Sequence, residues 1–444
     1  MKTIAFLAGL GVIHQAALHA QAPMRLTLDS ARSLALESNP GIAIVRQRVI
    51  EARSRQQQRW SAYFPRLSVD ANFSQVDSRQ TLAIPPGALG VISTGEPIPG
   101  KPVVIPQGGN SLYFQTIRVE QPVTQLFKVR AGHLAARAEE RASEAQLRGA
   151  EADLSLGVLR GYSNLLIARA QYLAAAAQVA ADSALARDAR ATTDVGLALA
   201  VAADQADTRL SESRRRMREL RYRIEDQNLE LAELLGIPSA TGFELVEPAV
   251  DSSFTGSLEE YTRAALASNP EVSAASQQVE RATQGIRAAR AEYLPQVGVF
   301  AQHLLQHAVP LLPASHFSVG VKAEWTLWDF RQRDRAVTER RAQRAQAELD
   351  LERTRRRIET ETTKAYRAVL RAWEAASVAT EALAARTAAA RIAGDQVMTG
   401  LALPAVGLSA EAARLQAEAD LLQARLSIRL ARAALERVAG HEVR

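Results

Sequence analysis

The sequence predicts a mostly α-helical chain with a small β part, made of two copies of one helix–strand–strand–helix unit. Three observations predict this class. Of 444 residues, 47% are apolar but only 5% aromatic, and alanine is abundant, which favours long and closely packed helices. Two stretches of the chain repeat each other, and four segments alternate apolar and polar residues with the period of a strand.

The N-terminal residues have the layout of a secretory signal peptide, which we place at 1–22. Lys2 precedes an apolar stretch over 4–13, and small residues at 18–22 offer cleavage patterns. That stretch is shorter than the roughly 20 residues that span a bilayer. No later segment has 18 uninterrupted apolar residues. The mature chain is therefore expected to leave the cytoplasm, and any membrane part must consist of strands.

The internal repeat divides the rest of the chain into residues 23–250 and 251–444. Asn39 and Pro40 reappear 230 residues later as Asn269 and Pro270, and Pro65 reappears as Pro295 at the same offset. Each copy begins with a short helix, near 28–37 and 258–267, which the Asn-Pro pair interrupts. A second helix follows, to about 62 and 292. Ser257 and Glu260 form a capping-box pattern at the second short helix. The first copy also holds a proline- and glycine-rich insertion over 77–110, predicted to be an irregular loop.

Four strands are predicted, at about 66–76, 111–122, 296–304 and 316–327. Their alternation over about ten residues is typical of strands in membrane barrels. We expect the apolar set to face lipid: Leu67, Val69, Phe73, Phe317, Val319, Val321 and Trp325. We expect the polar set to face a lumen: Ser68, Asp70, Asn72, Lys322 and Glu324. A half-buried soluble sheet fits less well, because only four such strands accompany the long helices.

Four strands are too few to close a barrel, since the smallest barrels have about eight. Because open sheet edges are not tolerated in lipid, membrane strands here would require several copies of the chain. Two, three or four copies would supply eight, twelve or sixteen strands.

Long helices are predicted after each strand pair, at about 128–193 and 200–235, then 331–398 and 405–438. A helix of 66 residues is about 100 Å long at 1.5 Å per residue, which exceeds any ordinary globular core. Such helices must pack sideways as coiled coils, and alanine permits close approach. Gly196 and Gly400 lie where one long helix should turn into the next, and Gly236 ends the first copy. A protein with a shared barrel and a long helical tube would be a conduit.

The duplicated motif resembles that of TolC-type outer-membrane efflux and secretion channels. It reads Ala-Leu-x-x-Asn-Pro at 35–40 and 265–270, and each copy continues to Tyr-x-Pro before its strand and to a Gly-Leu turn. The resemblance covers about 25–440. It implies a homotrimer with a 12-stranded barrel in outer-membrane lipid and a helical barrel crossing the periplasm. It also implies a periplasmic adaptor protein and an inner-membrane pump of the RND, ABC or MFS type.

In that family the hairpin tips carry a Val-Gly-Leu type of turn that meets the adaptor. The matching residues are Val195, Gly196 and Leu197 in the first copy and Thr399, Gly400 and Leu401 in the second. The alternative is a plain turn that needs glycine for its backbone alone. Some members carry an acidic residue six positions after the glycine. Here those positions hold Ala202 and Val406, with Asp204 two residues further on.

Other chemistry is weakly indicated. Motifs for a nucleotide, a serine nucleophile or a zinc protease are missing, and so is cysteine, so we predict no enzymatic activity, cofactor or metal. His303, His307 and His316 are interpreted as a polar loop cluster rather than a metal site, because carboxylate and cysteine partners are missing beside them.

The arginine runs, such as 214–216 and 353–357, alternate with glutamates at helical spacing, which is typical of a solvated helix face. We therefore expect no nucleic-acid partner. Arg331, Arg333 and Arg335 follow the fourth strand directly, and we place them at the inner rim of the membrane that the strands span, beside anionic head groups.

The alternative to an exit duct is a soluble periplasmic coiled-coil scaffold that binds envelope proteins without a pore. A basic coiled coil that binds nucleic acid is a more distant alternative. The sequence names neither the exported cargo nor the gate state.

Overall fold

The computed structural model describes residues 24–78, 81–106, 109–248, 254–307 and 313–441. The predicted signal segment lies outside the described residues. The helices are α1 (Leu28–Ser38), α2 (Pro40–Ser61), α3 (Leu126–Asp194), α4 (Ala200–Leu235), α5 (Leu258–Ser268), α6 (Pro270–Ala291), α7 (Gln332–Met398) and α8 (Pro404–Ala439). The strands are β1 (Met24–Leu26), β2 (Arg66–Gln75), β3 (Thr81–Ile84), β4 (Val103–Pro106), β5 (Ser111–Pro122), β6 (Phe243–Leu245), β7 (Gln296–His307) and β8 (Ser315–Glu324). Within these ranges, no helix combines the length and the hydropathy needed to cross a membrane.

The chain divides into two compact units. The core unit comprises the described parts of 1–44, 149–269 and 358–444, and the sheet unit comprises those of 45–148 and 270–357. This division follows packing rather than the sequence repeat, since each unit takes segments from both copies. The division into two repeats at 250 stays a prediction.

The core unit is built around Tyr162, which is fully buried. Its hydroxyl oxygen lies 2.8 Å from the carbonyl oxygen of Leu26 and 2.6 Å from that of Val246, and it accepts a hydrogen bond from the Val246 amide. These bonds hold the parallel pair β1 and β6, which the sequence did not indicate. Burial raises the pKa of the Tyr162 phenol, so the neutral donor persists at physiological pH.

Alanine forms the seams of the long helical hairpins, as the composition predicts. In the α3–α4 hairpin, Ala186 and Ala206 are buried beside Leu210. In the α7–α8 hairpin, Ala376 and Ala424 are buried beside Ile428. Small side chains at these contacts let two long helices approach closely along their length.

The duplicated Asn-Pro motif ties helix ends together in the core unit. Asn39 ends α1, and its side-chain oxygen accepts hydrogen bonds from the amides of Gly41 and Ile42 at 2.8 and 3.3 Å. Its amide nitrogen donates to the carbonyl of Leu234, near the end of α4, at 3.0 Å. In the second copy Asn269 donates to the carbonyl of Val438 at 2.9 Å. Each asparagine thus satisfies a carbonyl that the end of a distant helix leaves unpaired.

Glycine is required where those distant helices end. Gly236 follows α4 with φ +68°, and a β-carbon there would lie 2.4 Å from the Ser38 carbonyl oxygen. Gly440 follows α8 with φ +74°, and its β-carbon would lie 2.5 Å from the Ser268 carbonyl oxygen. The prediction that Gly236 ends a helix is confirmed.

The sheet unit contains one four-stranded antiparallel sheet in the order β2-β5-β7-β8. All four predicted strands are present. Strand β7 runs to His307 rather than 304, and β8 ends at Glu324 rather than 327. Glu324 pairs with Gln296, so Trp325 would face Pro295, which has no N–H to donate. Trp325 therefore follows the strand in which the sequence placed it. Pro65 stands in the same way directly before β2.

The insertion at 77–110 is not irregular throughout, contrary to the prediction. Strands β3 and β4 pair antiparallel, with Thr81 opposite Pro106 and Ile84 opposite Val103. The prolines of the insertion mostly flank these strands. The β-branched run over 103–105 pairs normally because proline stands before and at the end of it.

Candidate functional site

One face of the four-stranded sheet is apolar and exposed. The side chains of Leu67, Phe73, Phe317, Val319 and Val321 are each 67–71% exposed, and Val69 is 58% exposed. The register continues this face across the sheet, since Leu67 lies opposite Val119 and Val69 opposite Ile117. An apolar surface of this extent is rare on a protein surrounded by water, and it marks a contact with lipid or another protein.

The other face carries the polar set. Ser68, Asp70 and Asn72 alternate with the apolar residues of β2, and Lys322 and Glu324 do so at the end of β8. Arg118 on β5 lies opposite Ser68 and donates two hydrogen bonds to Gln302 on β7, at 2.8 and 3.2 Å. The two faces therefore differ in chemistry as the sequence predicts.

Phe300 departs from the alternation of β7, and the structure gives the reason. It lies opposite Gly320 on β8, and a β-carbon at Gly320 would come within 2.7 Å of the Phe300 ring. The ring thus covers the glycine of the neighbouring strand, an arrangement that stabilises sheets containing glycine.

Strands β2 and β8 are the two edges of this sheet. Each pairs on one side only among the described residues, so each presents a row of free backbone donors and acceptors. Such edges pair with another chain if the sheet lies in an apolar medium.

A tight elbow joins β8 to α7 at the rim of the sheet. Phe330 and Arg331 have φ of 52° and 67°, a region that residues other than glycine rarely adopt. Arg333 holds the elbow, donating to Asp329 at 2.5 Å and to the Thr326 carbonyl at 2.7 Å. The hydrogen bond from Arg333 lowers the pKa of Asp329, so the pair stays ionised well below neutral pH.

The elbow changes the interpretation of the arginines that follow the fourth strand. The Arg333 side chain is only 15% exposed and is bound within the elbow, so it is a structural residue rather than a head-group ligand. Arg331 is largely exposed and lies 3.7 Å from Asp334. The elbow also exposes Leu327, Trp328 and Phe330, which lie beside the apolar strand face in sequence.

The two helix tips have matching turns. Gly196 and Gly400 both have φ +74°, and a β-carbon at either position would meet nothing within 4 Å. The amide of Leu197 bonds to the Thr192 carbonyl at 2.9 Å, and that of Leu401 to the Gln396 carbonyl at 2.8 Å. Backbone conformation alone therefore requires these glycines.

Both tips present apolar side chains to solvent. The exposed set includes Val195, Leu197, Leu199, Met398, Leu401 and Leu403, and the Thr399 hydroxyl bonds back to the Asp395 carbonyl. Ala202, Val406 and Asp204 are exposed just beyond the turns. An apolar tip of this kind is typical of a contact surface for another protein.

The histidines at the far end of the sheet do not converge. His303 shares a hydrogen bond of 2.7 Å with Ser315, while His307 pairs with Tyr113 and His316 with Leu304 in the register. In the part of the chain that the structure describes, no group of three or more His, Cys, Asp or Glu side chains is placed to hold a metal.

A family model described as outer membrane efflux protein matches residues 31–237 and 262–441. The two matched segments together cover most of the chain. The chain belongs to the outer membrane efflux protein family. Membership confirms the resemblance to TolC-type channels and places the protein in the outer membrane with a periplasmic extension. Members of this family are ducts without enzymatic activity, as predicted.

Solved structures of outer-membrane proteins and channels share this fold. The outer membrane protein VceC of Vibrio cholerae is 17% identical, with 94% of this chain and 97% of VceC covered at a TM-score of 0.74. The CmeC outer membrane channel of Campylobacter jejuni is 15% identical, with 93% of this chain and 85% of CmeC covered at a TM-score of 0.72. The MtrE outer membrane channel of Neisseria gonorrhoeae is 17% identical, with 94% of this chain and 89% of MtrE covered at a TM-score of 0.69. Among curated proteins, none matches the chain significantly.

Proposed function

We propose that this protein is the outer-membrane exit duct of a tripartite efflux or type I secretion system. Three copies would join their sheets into a 12-stranded barrel, and their long helices would form a periplasmic tube. Cargo would pass through the water-filled lumen without chemistry by the duct itself. A periplasmic adaptor and an inner-membrane pump of the RND, ABC or MFS type would select the cargo and supply the energy.

The exposed apolar face of an open-edged sheet carries this proposal. Side chains such as Val319 and Phe73 add nothing to the stability of the chain in water, because apolar surface contributes to stability only when it leaves water. Placed in lipid, the same face needs no further cover, and the polar face with Asp70 and Lys322 would line the lumen. The edges β2 and β8 would then pair between copies, so that every strand has two neighbours.

The apolar helix tips support an adaptor contact and a gate at the periplasmic end. Leu197 and Leu401 are each more than 80% exposed, on turns whose backbone is fixed by hydrogen bonds. An adaptor with an apolar groove would remove both side chains from water. The tips are also where the lumen would open and close.

Envelope fractionation followed by the native mass of the detergent-solubilised protein tests the duct. We expect an outer-membrane species with the mass of three mature chains. Reconstitution of that species in vesicles should permit flux of small solutes. A soluble periplasmic monomer or dimer would instead favour the scaffold and would contradict the proposed duct.

The tip contact can be tested separately. We expect Leu197→Asp and Leu401→Asp together to abolish export and cross-linking to the adaptor, while the trimer mass stays unchanged. Leu197→Met, which keeps an apolar side chain at the same position, is the matched control. Export that persists in the double aspartate variant would argue against docking at the tips.

A further inference from the structure

Four helices continue from one end of the sheet and form a layer in the order α2-α3-α6-α7. Ion pairs join each neighbour to the next. Arg53 on α2 lies 3.0 Å from Glu140 on α3, and Lys128 on α3 lies 2.8 Å from Glu292, which directly follows α6. Arg357 on α7 bonds to Glu271 on α6. The layer thus repeats the order of the strands to which the helices are connected.

A cavity of about 1410 Å³ lies against this layer and is lined by all four helices. Because the two outer helices contribute to it as well as the two inner ones, it occupies the concave side of the layer. In a tube closed by several copies, the concave side is the lumen. This step rests on the proposed function.

The cavity holds more cations than anions. Five of its lining side chains are basic: Arg55, Arg59, Lys128, Arg281 and Arg340. Three are acidic: Glu139, Glu292 and Asp350.

Ion pairs already occupy all three acids. Glu292 pairs with Lys128, and Glu139 with Arg55 at 3.2 Å and with Arg281 at 3.9 Å. Asp350 pairs with Arg353 outside the cavity lining, at 3.0 Å.

Two of the five basic side chains form no ion pair in the part of the chain that the structure describes. Within the described ranges, Arg59 and Arg340 have no carboxylate within 4.0 Å, and Arg340 donates a hydrogen bond to the Gln343 side chain at 2.9 Å. The aliphatic part of the Arg340 side chain lies over Gly285. A β-carbon added at Gly285 would lie 3.7 Å from the δ-carbon of Arg340. Small residues such as Gly132, Ala136 and Ala282 line the cavity between the charges and leave room for a ligand.

The polar face of the sheet offers no such excess. It carries Arg66, Arg118 and Lys322 against Asp70, Glu120 and Glu324, so its charges balance. The positive charge is therefore concentrated in the helical part, next to the sheet. Charge of one sign along a narrow passage raises the local concentration of the opposite ion.

We propose that this cavity is an oxyanion site in the lumen and that the duct favours cargo bearing phosphate or carboxylate groups. Arg59 and Arg340 of each copy would face the passage, so that a trimer presents three equivalent pairs. A guanidinium is a planar donor that matches the two oxygens of a carboxylate or phosphate. Cargo with several such groups would contact more than one copy at once.

Binding of inositol hexakisphosphate to the purified full-length trimer, measured by calorimetry, tests this site in either gate state. We expect binding by the wild-type trimer that weakens as salt is raised. Arg340→Gln should reduce the affinity about tenfold or more, since it removes a charge-assisted hydrogen bond from each copy. Arg59→Gln should act in the same direction. Arg341→Gln is the matched control, because the neighbouring residue on α7 does not line the cavity.

The outcomes separate this proposal from the duct itself. Loss of affinity in Arg340→Gln, with the trimer mass and the Arg341→Gln affinity unchanged, supports the site. A trimer that does not bind the hexakisphosphate, or that loses affinity equally in Arg341→Gln, overturns the oxyanion site and leaves the duct standing. A chain that forms no membrane trimer overturns both.

Discussion

The two units of the molecule use apolar side chains in opposite ways. In the core unit, away from the exposed helix tips, Leu159, Tyr162 and Leu231 are completely buried in one hydrophobic cluster. In the sheet unit, Leu67 and Val319 are about two-thirds exposed, although their strands pair with neighbouring strands of the same sheet. The core cluster is thus completed by the folding of one chain, whereas the sheet keeps an apolar face and two open edges that the proposed trimer in lipid would cover.

The largest expected effect comes from removing a buried side chain of the core unit. Leu159→Ala should lower the free energy of unfolding by about 2–5 kcal/mol, because it leaves a cavity among packed side chains. Val321→Ala, on the exposed sheet face, should have a much smaller effect. Denaturant unfolding of the detergent-solubilised protein, followed by circular dichroism, measures both. Equal losses of unfolding free energy in the two variants would contradict the difference in packing between the core unit and the sheet unit.

A charge on the sheet tests the same contrast from the other side. Val319→Arg should destabilise the membrane-inserted protein by about 2–4 kcal/mol if the site lies near the bilayer midplane. Ser318→Arg places the same charge one residue earlier, on the polar face, and should be tolerated better. Urea unfolding in lipid vesicles gives both values. A larger loss in Ser318→Arg would mean that the two faces are reversed.

The junction of helix ends in the core unit should be sensitive to its asparagines. Asn269→Ala leaves the buried Val438 carbonyl without its side-chain donor and should cost about 1–3 kcal/mol of stability. Ser427→Ala, which removes an exposed hydroxyl bond on α8, is the control and should be nearly neutral. The same unfolding measurement compares them. A neutral Asn269→Ala would show that the junction does not depend on this bond.

The smallest effect is expected at the tips. Gly196→Ala should cost about 1 kcal/mol, because alanine is strained at positive φ while its β-carbon meets no neighbour. Gly236→Ala shares the positive φ but also forces a β-carbon onto the Ser38 carbonyl, so its loss of stability should be clearly larger. Thermal unfolding of the two variants in parallel gives the difference. If the two variants lose the same stability, the backbone around Ser38 moves to make room for the β-carbon at position 236.

Much of the fold could be predicted because its signals are local. The ends of α3, α4, α7 and α8 lie within two residues of the predicted bounds, since apolar periodicity and turn glycines are encoded within a few residues. The strand faces follow from period two in the same way. Pro65 and Pro295 determine where pairing begins, although the last strand was drawn three residues too long.

What the sequence did not reveal depends on distant partners. Three-residue strands such as β1 and β6 form because Tyr162 holds them, and no local pattern marks them. Asn39 was interpreted only as a helix break. Asparagine directly before proline is also typical of an N-cap followed by the first helical residue. That pattern would have indicated that Asn39 caps α2, which is half of its role. Its bond to Leu234 joins positions 195 residues apart, and no spacing rule predicts it.

The proposed duct requires that the apolar sheet face meets lipid and that the polar face meets a water-filled lumen. The chain has no cysteine, so single cysteines can be introduced without a background. Spin labels at Val321→Cys and Lys322→Cys, neighbours on β8, report on opposite faces of the vesicle-reconstituted protein. We expect high accessibility to oxygen at position 321 and to a water-soluble nickel reagent at position 322. Aqueous accessibility at both positions, or the reverse pattern, would contradict the proposed duct.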